Sequence, residues 1–193
     1  MHNFGLYFSL GRQHIANLNG LDHILFIAAL CIRYHYADWK KVLLLITAFT
    51  VGHSITLALS VFNIVHLPSN WVEFLIPVTI FITAVSNLFI KKFVFKSKYP
   101  VIYFFSLFFG LVHGLGFSNY LRSLLGRSQS IVVELLAFNI GLEVGQLLIV
   151  IALLFITFVA LSLVKVNRRE YILLLSGGIL GIALQMALHR LPF

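Results

Sequence analysis

Apolar residues along the 193-residue chain fall in long continuous runs rather than in alternation. A helix needs about 20 mostly apolar residues to cross a bilayer. Six runs approach or exceed that length: residues 21–36, 42–65, 71–90, 99–119, 131–164 and 171–188. The first is short and has to borrow from residues 15–20. The fifth is long enough to tilt or to run on past the membrane. Ahead of them Phe4, Tyr7, Phe8 and Ile15 fall on one side of a short interfacial helix. Backbone groups in lipid must be bonded internally, so these runs are helices. A barrel would show segments of alternating hydrophobicity instead. The expected architecture is all-α: a polytopic membrane bundle of about six transmembrane helices. It forms a single transmembrane domain over residues 1–193, with residues 1–20 as an outer-side N-terminal segment. No linker, soluble appendage or internal sequence repeat is apparent.

Composition agrees with that pattern. Hydrophobic residues make up 60% of the chain and charged ones 10%, and the mean hydropathy is +0.99. A soluble domain carries about a quarter charged residues and needs them to cover its surface. A soluble enzyme, a disordered chain and a nucleic-acid binder are therefore excluded, despite a net charge of +8. The basic residues read as topology. The loops after the first, third and fifth runs hold Arg33, Lys40, Lys41, Lys91, Lys92, Lys96, Lys98, Lys165, Arg168 and Arg169. The opposite side holds only Arg12, Arg122, Arg127 and Arg190. Both termini are thus expected outside the cytoplasm, in a bacterial inner membrane, with the basic side against anionic lipid. Cys31 stands alone, which excludes a disulfide framework and a cysteine metal cluster. Residues 1–10 lack the basic start of a cleaved signal peptide.

Ionisable residues inside such runs are costly and mark function by default. Asp22 and His23 open the first run, His53 lies in the second, and His113 lies in the fourth. Asn139, Glu143 and Gln146 share one helix face in the fifth. With alternating spans, Asp22, His23, His53, His113 and Glu143 all fall in the outer half of the membrane. Three imidazoles and two carboxylates with no thiol suit zinc, nickel, cobalt or iron, and suit copper(I) poorly. Thr50, one turn from His53, supports the set, and His14 is placed to cap it from above. Glu73 and Glu134 are expected at the interface, and His2, His35, His66 and His189 in solvent. Asn87, Thr79, Thr83 and Ser86 read as polar contacts between helices.

Five stretches carry a resemblance: Gly11-Arg-Gln-His-Ile15, Gly20-Leu-Asp-His-Ile-Leu-Phe26, Thr47 to Leu57 with Gly52-His53-Ser54, Phe109-Gly-Leu-Val-His-Gly-Leu-Gly-Phe117, and Phe138-Asn-Ile-Gly-Leu-Glu-Val-Gly-Gln146. Taken in order they resemble the HupE/UreJ family, most closely its second branch. The resemblance implies a nickel or cobalt permease of the kind associated with hydrogenase and urease operons. Asp22-His23 fits the family's first-helix motif, but seven residues rather than five separate His14 from Asp22. In the later motif Gly110, Val112, His113 and Gly114 fit, while Phe109 and Gly116 replace a His and a Glu. Metal handling is therefore implied more firmly than nickel itself.

Two functions follow. In the first, the chain is a permease for a divalent cation (nickel, cobalt or zinc) driven by a gradient, since it holds no nucleotide-binding motif. Asp22, His23, His53, His113 and Glu143 would hold the ion. In the alternative, an intramembrane zinc hydrolase acts on a lipid or lipid-anchored substrate, with Glu143 or Asp22 as general base.

Overall fold

A computed structural model describes residues 4–17, 20–89, 101–125 and 131–193, and shows helices without strands among them. Their order is α1 (Phe4–Ile15), α2 (Asp22–Ile32), a 3-10 turn (Tyr36–Asp38), α3 (Trp39–Val61), α4 (Ser69–Leu88), α5 (Ile102–Leu125), α6 (Ile131–Phe158) and α7 (Arg168–His189). α6 runs on into one π-helical turn, Val159–Leu163. The expected ends of the third and fourth runs at residues 90 and 99 lie outside the described residues. So do His2, Lys91, Lys92, Lys96, Lys98, Arg127 and the side chain of Arg122.

Helix ends follow local chemistry. α3 stops at Val61, four residues before the apolar run does, because Asn63 adopts a left-handed conformation with φ 59°. The Ile64 N–H then donates to the Leu59 carbonyl at 2.8 Å and the Asn63 N–H to Ser60 at 3.0 Å, closing the helix. Lys165, also at φ 59°, ends the π turn. Asn167 caps α7 by accepting a bond from the Arg169 N–H at 2.9 Å.

Among the described residues, four helices are long and apolar enough to cross a membrane: Tyr36–Val61, Ser69–Leu88, Ile131–Leu163 and Arg168–His189. Two further apolar helical stretches are shorter, Asp22–Ile32 and Ile102–Ser118, the second within a helix that runs on to Leu125, so four of the expected six are supported among the described residues. α2 has only 11 residues because its apolar run is entered and left by turns, at Gly20 and at Arg33. α1 does form where a helix was expected, but it buries Tyr7, Gly11 and Ile15 against the bundle and leaves Phe4 exposed.

Two close helix pairs build the centre. In α1 and α6 a Cβ on Gly11 would strike the Phe138 carbonyl, and one on Gly141 the Phe8 carbonyl. In α3 and α5 a Cβ on Gly52 would strike the Leu107 carbonyl, and one on Gly110 the Phe49 carbonyl. Each glycine thus opposes the carbonyl three residues before its partner glycine, so both pairs share one packing pattern and both run parallel. Small residues at these crossings let backbones touch, which is how helices associate where the hydrophobic effect gives no drive. Interhelical bonds add to this: Ser106 to the Leu45 carbonyl at 2.8 Å, Thr56 to Leu111 at 2.8 Å, and buried Asn87 to Ala29 at 2.7 Å. Thr79, Thr83 and Ser86 instead bond to carbonyls of their own helix.

The two ends of the bundle differ. At one, Arg168 donates to the Arg33 carbonyl at 3.3 Å, Arg169 donates to the Leu88 carbonyl at 2.8 Å, and Tyr36 meets Ser162. At the other, Asn70 donates to the Pro192 carbonyl at 3.2 Å and Arg190 pairs with Asp22.

Candidate metal centre

Four elements deliver the imidazoles. His14 sits in the last turn of α1, His23 is the second residue of α2, His53 lies in the second half of α3, and His113 lies mid-way along α5. The glycine crossings set their approach, since Gly52 adjoins His53 and Gly114 adjoins His113. A Cβ on Gly114 would strike the His53 carbonyl, so the close α3–α5 contact extends to the two histidines themselves.

His14, His23 and His53 each offer a nitrogen, and those three atoms lie within 4.8 Å of one another. Nitrogens sharing a tetrahedral ion through bonds of about 2.0–2.1 Å sit about 3.4 Å apart, so closing on one ion takes an inward shift of about 0.8 Å per nitrogen. The His14 and His23 rings are 4.7 Å apart, and His113 lies 5.4 Å from His23. The Nδ1 of His113 is 2.8 Å from the Phe109 carbonyl. A carbonyl only accepts, so Nδ1 carries the proton and Nε2 presents its lone pair, as metal-ligating histidines do. Nε2 of His14, His23 and His113 and both nitrogens of His53 are buried without a hydrogen-bond partner. His53 is fully buried, at 0% exposure. Unpartnered buried imidazole nitrogens each cost desolvation, and a shared ion relieves several at once. Phe26 and Phe49 wall the centre below His113, at ring distances of 5.3 and 5.1 Å.

The carboxylates lie differently. Asp22 lines a cavity of about 220 Å³ together with His14, His23, His113, Glu73 and Arg190. Both its oxygens are engaged by the Arg190 guanidinium, at 3.0 and 3.4 Å. Glu143 is not among the grouped residues and accepts a bond from Thr47 at 3.0 Å. Thr50 meets Gln146 at 2.6 Å, and Asn139 donates to the Leu135 carbonyl at 3.0 Å. Glu134, expected at the interface, is 4% exposed, whereas Glu73 is exposed and reaches the cavity. His66 and His189 are exposed and His35 half-buried.

Two residues escape the sequence reading. Arg190 reads there as an outer-side loop charge, yet it is Asp22's partner; a basic residue ending the last helix on Asp22's side is the signal that could have found it. Phe117 stacks on His14 at 3.9 Å and on Phe138 at 5.2 Å. It separates the Asp22 cavity from a second one of about 510 Å³ lined by Leu10, Gln13, His14, Asn17, Phe117 and Tyr120. An aromatic in an apolar run carries no such signal.

A family model described as HupE / UreJ protein matches residues 1–191. The chain belongs to the HupE/UreJ family. No curated protein matches it, and no solved structure does. The HupE/UreJ family is associated with nickel and cobalt transport or metallocentre assembly. Its match spans the helices that carry all four histidines and also α7, which brings Arg190.

Proposed function

We propose that the protein is a membrane permease for a divalent transition-metal cation of the nickel or cobalt type. The carrying observation is the grouping of His14, His23 and His53, with buried, unpartnered nitrogens turned on one another and His113 beside them. An all-imidazole set suits nickel, cobalt and zinc.

In this reading α1 and α2 are the two halves of one interrupted crossing, completing six with α3 to α7. Both termini lie outside the cytoplasm, and the metal station sits at the break in the outer half. Interrupted helices with ion sites at the break recur among secondary transporters. The C-terminal end of α1 carries His14, so the negative end of its dipole lies at the cation. A dication reaching His14 and His23 through the Asp22 cavity competes with Arg190 for the Asp22 carboxylate. Without a nucleotide-binding motif the driving force is a gradient or the membrane potential. That potential is worth about 4.6 kcal/mol per 100 mV for two charges.

The hydrolase alternative needs a free base beside the metal. Asp22 is held through both oxygens by Arg190, and Glu143 lies outside the imidazole group, so neither carboxylate stands beside the metal as a free base. Equilibrium binding of nickel and cobalt to the purified protein tests the proposal. One ion per chain is expected, lost on His53→Ala. Binding unchanged by that substitution would remove the site, and hydrolysis of a lipid substrate by metal-loaded protein would favour the enzyme.

A further inference from the structure

Along α6, below the histidines, a second polar group lies between α6 and α3. Glu143 accepts from Thr47 at 3.0 Å, and one turn on Gln146 meets Thr50 at 2.6 Å. Glu143 belongs to neither ion pair, Lys41–Asp38 or Arg190–Asp22, and among the described residues its carboxylate is bonded by the neutral Thr47 hydroxyl. A carboxylate in the middle of the longest apolar helix is costly unless something balances its charge.

The amide of Gln146 adds an unmet need. Thr50 has one hydroxyl hydrogen, yet both the Gln146 amide oxygen, at 2.6 Å, and the Ile46 carbonyl, at 3.1 Å, stand as its acceptors. Turning the amide over resolves the conflict. Thr50 then donates to Ile46 and accepts from the Gln146 NH2, which leaves the amide oxygen as the orphan. In either orientation one end of this amide has no partner in a side chain at 0% exposure. A further orphan, the buried Oδ1 of Asn139, lies one turn before Glu143 on the same face. Its Nδ2 donates to Leu135, so that atom is an acceptor beyond doubt of orientation.

We propose that Glu143, Gln146 and Thr47 form a second cation site, made of oxygens alone, that binds sodium. One ion there balances the carboxylate and satisfies the orphan amide oxygen together. Oxygen donors select hard cations, and the imidazole centre selects transition metals, so the two sites do not compete for one ion. The sodium site stands without the permease reading. Its use as the coupling ion rests on that reading, since Thr47 and His53 lie on the same helix within two turns, which places the two ions to influence each other.

The test uses purified full-length protein in chelator-treated buffer, with thermal unfolding followed against sodium chloride and against choline chloride at equal ionic strength. Saturable stabilisation by sodium alone is expected, because a ligand that binds only the folded state raises its stability. Glu143→Gln should weaken the apparent sodium affinity at least about tenfold, the equivalent of about 1.4 kcal/mol. Thr47→Val, which removes a hydroxyl without changing shape, should weaken it less. His53→Ala should leave it unchanged while abolishing metal binding, which separates failure of this site from failure of the metal centre. Equal stabilisation by choline, or a sodium response intact in both Glu143→Gln and Thr47→Val, would overturn the proposal. Stabilisation that follows pH with no sodium requirement would also overturn it, and would assign Glu143 to a proton instead.

Discussion

A histidine in an apolar helix has two common uses, bonding to a neighbouring helix or holding an ion, and its nitrogens tell them apart. His113 does some of each: Nδ1 is tied to its own helix and Nε2 is left free. His53 has neither nitrogen bonded, the arrangement expected of a residue that holds an ion. Depth in the membrane made His23, His53 and His113 readable as a group from sequence alone. His14 was readable only as a cap, because the break between α1 and α2 that lowers it to the level of His23 leaves no mark beyond Gly20 and two Asn residues. The face shared by Asn139, Glu143 and Gln146 follows from helical spacing, but its partners Thr47 and Thr50 are 96 residues distant and follow only from packing. His53→Ala should lower metal affinity by more than the roughly 10–100-fold lost when an outer partner of a ligand is removed. His66→Ala, exposed and remote, should leave it unchanged. Calorimetric titration of both variants with nickel checks the pair.

Elements were legible in kind and less so in length. Hydrophobicity marks where a helix is tolerated, whereas single residues decide where it ends, as Asn63 does for α3. Asn63→Val should therefore destabilise the protein by about 1–2 kcal/mol, since a β-branched residue resists the left-handed conformation. Asn63→Gly should be neutral or better. The glycines bear on function more directly. Gly110 lies against the Phe49 carbonyl and the His53 amide, so Gly110→Ala forces α5 away from α3. Overpacking of this kind typically costs about 1–3 kcal/mol. The variant should also bind metal more weakly, because the His113 and His53 backbones separate. Gly177→Ala is the control, as a Cβ there meets nothing within 4 Å. Thermal unfolding in detergent and metal titration of the two alanine variants would separate packing from a general loss of glycine.

At the scale of the molecule, the sequence shows an all-helical membrane protein plainly, because composition and run length settle that much. That α1–α6 and α3–α5 repeat one packing pattern leaves only a faint trace there, a Phe or Leu three residues before each of Gly11, Gly52, Gly110 and Gly141, and the glycine–carbonyl contacts that give the trace its meaning follow only from packing. The two pairs flank the histidines, and each contributes to them: His14 from one, His53 and His113 from the other. Arg33, Leu88, Arg168 and Arg169 gather at one end of the bundle and Asp22, Asn70, Arg190 and Pro192 at the other. If the basic end is cytoplasmic, a reporter active only in the cytoplasm should give no signal when fused after Phe193. A strong signal there would invert the protein and turn the Asp22 cavity inward. The claim that governs the rest is that the imidazole centre carries metal across a membrane. It is tested most directly by uptake of radiolabelled nickel or cobalt into proteoliposomes holding the purified protein, under an imposed inside-negative potential. We predict saturable uptake by the wild-type protein and none above empty liposomes for His53→Ala incorporated to the same level. Uptake by His53→Ala equal to wild type, or no uptake by a wild-type protein that binds the ion, would contradict it.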